Sequence, residues 1–244
     1  MGSLKGKIAI VTGASQGIGE VTALKLAEAG AQLVLTARNA EKLNALKARA
    51  EKHHPGIKVL VIPGDTCKAT DVQRVVDETL KAFDRIDILI NNAGVAGKIA
   101  LLQEISVEEI DRVIDTNLKG AMYWMRAVLP AMVHQHSGAI VNVNSVAGKT
   151  AYPYWSVYDA SKFGLDAVTT AVREEQRSNN IKLISIHPGA VDTPIWNTIN
   201  LDHEPNHDGM LDANTVAEAI LYALTQPEKA MIEEIILTPQ KPAL

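Results

Sequence analysis

The sequence predicts an α/β protein: a single domain over residues 1–244, built on a parallel sheet of about seven strands with helices on both faces. Three observations predict this class. Strand-like and helix-like segments alternate along the chain, as they do when parallel strands are joined by crossover helices. The strand segments are apolar runs without a polar face, which strands covered on both sides require. Hydrophobic residues make up 47% of the chain and aromatics only 4%, so the core must be filled largely by aliphatic side chains.

The first strand, 7–12, contains Ile8-Ala9-Ile10-Val11 and runs into Thr12-Gly13-Ala14-Ser15-Gln16-Gly17-Ile18-Gly19, which opens a helix over 17–29. Gly13 permits a tight turn after the strand, Gly17 lets the backbone approach a phosphate, and Gly19 lets the helix pack closely on the sheet. The helix N-terminus presents free N–H groups and positive dipole to a pyrophosphate. The spacing is Gly-x3-Gly-x-Gly, not the common dinucleotide-binding Gly-x-Gly-x2-Gly. A second strand, 32–37, ends before Arg38, whose guanidinium matches a phosphate in charge and fork geometry. Helices at 40–53 and 68–83 flank a third strand, 58–63.

The fourth strand, 86–91, ends in Asn91-Asn92-Ala93-Gly94, and one long helical pattern then covers 107–136. It contains Asn117, a polar amide that costs little in a helix if exposed. The fifth strand, 138–144, ends at Asn144-Ser145, and a helix over 157–178 carries Tyr158 and Lys162. Four residues apart, phenol and ammonium lie on one helix face. A tyrosine of ordinary pKa near ~10 is a poor acid-base catalyst at neutral pH. A cation about 4 Å away, at an effective dielectric near ~20, would stabilise its phenolate by about 4 kcal/mol and pull that pKa down.

A sixth strand, 182–187, leads into His187-Pro188-Gly189, where His187 reads as an ordinary strand-end residue. The stretch 197–209 has no periodicity and is crowded with Asn, Asp, His, Pro and Gly. Its two histidines, His203 and His207, lack a third ligand at suitable spacing, so no metal site is expected. A helix over 213–225 and a strand at 234–237 complete the chain.

Taken together, the segments 12–19, 91–94, Asn117, Ser145, Tyr158-x3-Lys162 and 187–194 resemble, in order and spacing, the short-chain dehydrogenase/reductase family in its standard-length single-domain branch. The resemblance extends over essentially the whole length and implies a Rossmann-type doubly wound sheet. It also implies a catalytic set of Asn117, Ser145, Tyr158 and Lys162. Tyr158 would exchange a proton with a carbonyl oxygen that Ser145 orients. Lys162 would lower the phenol pKa and bind the nicotinamide ribose, and Asn117 would hold a water linking the lysine to solvent. Coenzyme contacts would come from Gly13, Ser15, Gln16, Gly17, Ile18, Gly19, Arg38, Asp65, Thr66, Asn92, Ala93, Gly94, Pro188, Gly189, Val191 and Thr193, besides Tyr158 and Lys162. Ala37 occupies the position where NAD-preferring relatives keep an acid, so with Arg38 the expected coenzyme is NADP(H). Gln16 departs from the second base of many NADP-dependent relatives. Asn144 also departs from the small residues common there, without an evident role. A substrate lid is expected over 190–212, and a hydrophobic pocket near Val95, Tyr152, Trp155 and Trp196.

Net charge of −4 argues against a nucleic-acid footprint. The single cysteine, Cys67, excludes an internal disulfide and fits a reducing compartment. Without a membrane-span-length apolar stretch or apolar signal core, the reading is a soluble cytoplasmic enzyme with no membrane partner. The expected substrate is a small or medium hydrophobic ketone or its alcohol. The alternatives are a 3-oxoacyl-acyl-carrier-protein reductase, for which Arg173 and Arg177 could supply a basic patch, and a catalytically silent nucleotide-binding regulator. Apolar residues beyond one stripe on two long helices (Met122, Trp124, Val128, Met132; Phe163, Leu165, Val168, Val172) point to a homotetramer, with a dimer as fallback.

Overall fold

The computed structural model describes residues 4–199 and 206–241. Its elements follow in chain order: β1 (Ile8–Thr12), α1 (Gly17–Glu28), β2 (Gln32–Thr36), α2 (Ala40–His53), β3 (Val59–Val61), α3 (Ala69–Phe83), β4 (Ile88–Asn91), α4 (Val107–Ile114), α5 (Gly120–Gln135), β5 (Gly138–Val143), α6 (Ser156–Gln176), β6 (Ile181–Pro188), β7 (Val191–Asp192), β8 (Leu211–Asp212), α7 (Ala213–Leu224) and β9 (Glu234–Leu237). The seven expected strands all form, with no end displaced by more than two residues.

They make one parallel sheet in the order β3-β2-β1-β4-β5-β6-β9. Strand order reverses between β1 and β4, and the two chains leaving their C-terminal ends diverge to open a crevice. Register gives each face one row of side chains. Val34, Ile10, Leu89, Ile140 and Leu183 stand side by side across five strands and face α3, α5 and α6. The next residues along the same strands, Leu35, Val11, Ile90, Val141 and Ile184, face α1, α2 and α7. Both rows are apolar because helices cover both, which is why the strands show no alternation in sequence.

Two expectations are corrected. The helix over 107–136 is not uniformly α: between α4 and α5 it widens into a π-turn, Asp115–Lys119, with helical backbone running through on both sides. Of the apolar residues assigned to an intermolecular face, Trp124, Val128, Met132 and Leu165 are buried within this chain against the sheet. Amphipathic counting could not separate the two faces, since helices lying on a sheet beside other helices bury more than one stripe.

At the opposite edge of the sheet, buried Asp87 ties the ends of β1 and β4 together. It accepts hydrogen bonds from the Ile8 N–H (2.9 Å), Lys7 Nζ (3.1 Å) and Arg85 Nε (3.0 Å). Burial alone would raise its carboxyl pKa, but the Arg85 guanidinium, the Ile8 amide and Lys7 outweigh it and hold the pKa below the ordinary value. A depressed carboxyl pKa stabilises the folded state above the unfolded value near ~4 and loses that contribution as pH falls through the folded one. Asp87→Ala should therefore lower stability at pH 7 by about 2 kcal/mol, and the difference from wild type should shrink below about pH 4. Urea unfolding at both pH values checks this.

Candidate active site

The crevice is built from the turn after β1. Gly13 and Gly17 hold positive φ (+61° and +60°), and a Cβ on Gly13 would lie 2.9 Å from the Ala93 Cα. The two loops leaving the switch point thus touch backbone to backbone. Buried Thr12 fixes them: its hydroxyl accepts from the Asn92 and Ala93 N–H groups at 2.9 and 3.0 Å. The Asn92 amide returns hydrogen bonds to the Thr12 and Gly13 carbonyls (3.1 and 3.2 Å). Asn92, expected as a coenzyme contact, spends its side chain on bracing this turn. Thr193 closes over the other side, 3.3 Å from where a Gly17 Cβ would stand, so the arm beyond Pro188 and Gly189 lies against the α1 N-terminus.

Those free helix N–H groups, the backbone-only turn and the closing arm fit the pyrophosphate of a dinucleotide. Ser15 is partly exposed there, Gln16 precedes the helix, and Ile18 packs on the core below. At the end of β2, Arg38 is exposed and makes no hydrogen bond or ion pair among the described residues, while Ala37 carries no charge. Sequence reasoning missed Lys42: its Nζ donates to Gln16 Oε1 (3.0 Å), bringing a second cation to the glycine turn from α2. The signal was a basic residue one helical turn beyond Arg38. Asp65 accepts the Cys67 N–H in a side-chain turn, and the Thr66 hydroxyl accepts from Trp124 Nε1 (2.8 Å).

The four residues expected to be catalytic meet above β4 and β5. Lys162 is 5% exposed, and its ammonium donates to the Val143 carbonyl (3.0 Å). Burial pushes it down to about 8. Gly94 borders it: a Cβ there would stand 4.0 Å from Nζ. Ser145 follows β5 in extended conformation, its Oγ accepting the Ala147 N–H (3.1 Å). Tyr158 lies against Ser145, with the Trp155 ring edge-on at 5.5 Å.

The phenol pKa is not lowered, contrary to expectation. Burial pushes Tyr158 up to about 12, and only the Ser145 hydroxyl opposes this. The ammonium sits 5.7 Å from the ring centroid and is turned to Val143, farther away than helical spacing suggested. Asn117 is corrected as well: it is 1% exposed. From the π-turn its amide accepts from Val95 N (2.8 Å) and donates to Val95 O (2.8 Å) and Ser161 Oγ (3.1 Å). The Ser161 hydroxyl in turn donates to the Tyr158 carbonyl (2.7 Å). Asn117 therefore couples the loop after β4 to the helix bearing Tyr158 and Lys162. Asn144 acquires a role: it is buried, and its amide donates to the Lys162 carbonyl (3.2 Å), pinning that turn of α6 to β5.

Around this centre, Val95 and Trp155 are partly buried and Tyr152 is exposed. The Tyr152 N–H donates to Asp159 Oδ2 (2.7 Å), which anchors the pocket loop to the base of α6. Trp196 donates from Nε1 to the buried Val191 carbonyl side of the arm (2.8 Å). Within the expected lid, β7 pairs with β8 and His207 Nδ1 lies 2.8 Å from Asp192 Oδ1. Residues 200–205 of that segment, His203 among them, lie outside the described residues. Among the described residues no helix is long and apolar enough to cross a membrane.

A family model described as short chain dehydrogenase matches residues 7–204. An uncharacterized oxidoreductase of Staphylococcus aureus (strain MRSA252) is 37% identical over 238 residues, covering 97% of this chain and 98% of the relative. Among solved structures, an alcohol dehydrogenase from the archaeon Thermococcus sibiricus, complexed with 5-hydroxy-NADP, superposes with a TM-score of 0.88. It is 29% identical and covers 97% of this chain and 98% of its own. A metagenomic short-chain oxidoreductase in complex with NADP superposes with a TM-score of 0.85 at 31% identity, covering 98% and 99%.

The bridging role of Asn117 has a measurable consequence. Asn117→Leu would leave the Val95 N–H and C=O without the partner they share. Each unpaired buried group costs about 1–3 kcal/mol. We expect a loss of several kcal/mol in urea unfolding, with Asn117→Asp, which keeps the acceptor and loses the donor, falling between Leu and wild type.

Proposed function

The chain belongs to the short-chain dehydrogenase family and is an oxidoreductase; on that premise, we propose that it interconverts a ketone and a secondary alcohol, using NADP(H). The observation that carries this reading is the meeting of Ser145, Tyr158 and buried Lys162 beside a backbone-lined crevice at the switch point of the sheet. A nicotinamide coenzyme held along Gly13–Gly19, Gly94 and the 188–193 arm would supply or take up the hydride. In reduction, the Tyr158 Oη–H bond breaks and its proton passes to the carbonyl oxygen as the carbonyl carbon accepts the hydride. The Ser145 hydroxyl donates to the same oxygen and orients it. A phenol pushed up to about 12 is fully protonated at neutral pH, the form that reduction needs. The Lys162 ammonium, protonated below about 8, then stabilises the phenolate that proton transfer leaves behind.

The NADP(H) preference rests on Arg38, unpaired among the described residues, on Lys42 at the glycine turn, and on an alanine where an acid would repel a 2′-phosphate. The two similar structures with NADP-type ligands support it. The carrier-protein alternative loses its basic patch. Arg173 is buried with its guanidinium on the Leu183 and Glu233 carbonyls, and Arg177 is paired with Glu174 and Glu233. For assembly, Met122 (41% exposed) and Phe163 (43%) remain at the surface of α5 and α6. An apolar groove there, lined by Met125, Leu129, Val133, Val168 and Val172, supports pairing of these helices with their copies in a tetramer or dimer.

The deciding experiment follows coenzyme oxidation against a panel of ketones that includes an acetoacetyl thioester. Tyr158→Phe should lower kcat by at least the 10²–10⁴ typical of general acid catalysis and leave NADPH affinity nearly unchanged. More than a tenth of wild-type rate in that variant would sink the mechanism. With the most active ketone, the rate of reduction should fall as pH rises through about 8, where the Lys162 ammonium deprotonates.

Coenzyme choice is tested separately. Charge-assisted contacts to a phosphate are worth about 1.5–3 kcal/mol each, so NADPH should bind at least about tenfold more tightly than NADH. Combining Ala37→Asp with Arg38→Leu should reverse the order in a fluorescence titration. Light scattering at micromolar concentration should find a tetramer or dimer; a monomer would refute the groove as an interface.

A further inference from the structure

His187 is entirely buried, yet it precedes the Pro188-Gly189 arm and lies directly behind Ser145. Its Nδ1 is 3.0 Å from the Ser145 carbonyl oxygen. A carbonyl can only accept, so the Nδ1 must carry the proton. The same oxygen accepts the Gly148 N–H at 2.9 Å, closing the turn that places the Ser145 hydroxyl. The ring's other nitrogen, Nε2, is 3.3 Å from Asp166 Oδ1 in a geometry that makes no hydrogen bond, and neither atom has another partner among the described residues.

Asp166, His187 and Glu234 gather within 4.8 Å, as a cation site would. Lys149 already fills that role: its Nζ lies 2.9 Å from Asp166 Oδ2 and 2.8 Å from Glu234 Oε1. This corner joins the turn after Ser145, α6, β6 and β9 around one imidazole whose only hydrogen bond among the described residues goes to the Ser145 carbonyl. We propose that His187 is a positioning residue for catalysis: its Nδ1–H ties the Ser145 carbonyl, and so the backbone from which the Ser145 hydroxyl projects, to the strand that carries the coenzyme arm. One backbone torsion, ψ, lies between the carbonyl of extended Ser145 and its Cβ, so holding that carbonyl sets where Cβ stands, and the Ala147 N–H that donates to Oγ (3.1 Å) then selects the rotamer. The inference rests on Ser145 acting as the proposed reaction requires.

The test compares His187→Leu, which removes the donor at similar volume, with His187→Asn, whose amide N–H stands close to the position of Nδ1, and His187→Gln, whose amide reaches toward Nε2. NADPH oxidation is followed with the best ketone of the panel, NADPH affinity by fluorescence, and Tyr158→Phe runs alongside. For the Leu variant we expect kcat to fall at least 10-fold while NADPH affinity changes less than 3-fold. Asn should recover kcat to within about 3-fold of wild type, and Gln should not. A Leu variant that keeps more than a third of wild-type kcat, or an Asn variant no better than Leu, overturns the proposal. Full activity in Tyr158→Phe would instead overturn the reaction reading. Independently of turnover and of variant folding, the 15N pattern of the wild-type His187 ring decides the contact: a protonated Nδ1 supports it, and a bare Nδ1 overturns it.

Discussion

Burying the ammonium of Lys162 is the constraint around which the rest of the site is arranged. A charge taken from water needs compensation nearby, and here a single acceptor, the Val143 carbonyl at the end of β5, takes one of its three protons. The ammonium consequently weakens to about 8 without losing its charge at neutral pH. Every neighbouring element is placed to keep that ammonium fixed. Asn144 holds the Lys162 backbone, Asn117 holds the preceding residue, Ser161, and Gly94 leaves room beside Nζ that a side chain would reduce.

Several polar groups of the interior tie neighbouring elements to one another. Asn91 donates to Asn142 Oδ1 across neighbouring strands (2.8 Å), and Asn142 donates to Thr169 on α6 (2.7 Å). Farther up the sheet, Thr12 and Asn92 lock the glycine turn, and Asn117 locks the loop after Gly94. Asparagine recurs because its amide both donates and accepts, and so can satisfy a loop's N–H and C=O at once. Paired in this way, the backbone groups that border the crevice have the cost of leaving water largely offset.

The electrostatics of the centre run opposite to a simple phenolate picture. Burial raises the phenol pKa and lowers that of the ammonium, and both groups keep their protons at neutral pH. In the proposed reaction the cation would stabilise the anion that proton transfer leaves behind, a charge the phenol does not carry before transfer. This is how a site favours the transition state over the ground state.

The sequence alone determined the layer architecture and the positions of seven strands, because aliphatic runs buried on both faces have no other use. The candidate chemical set came from resemblance: the glycine turn, Ser145, Tyr158 and Lys162 stand in the order and spacing of a known family. What it could not determine depends on distance through space. The burial of Asn117 required a π-turn inside an apparently uniform helix, and no periodicity marks one extra residue in a turn. The inward facing of Trp124, Val128 and Met132, the engagement of Arg173 with backbone carbonyls, and the contact of His187 with Ser145 all join residues distant in sequence. Only the tertiary structure decided these. An imidazole or guanidinium reads as surface chemistry in a linear pattern, and becomes structure or catalysis only when packing supplies the acceptor that it faces.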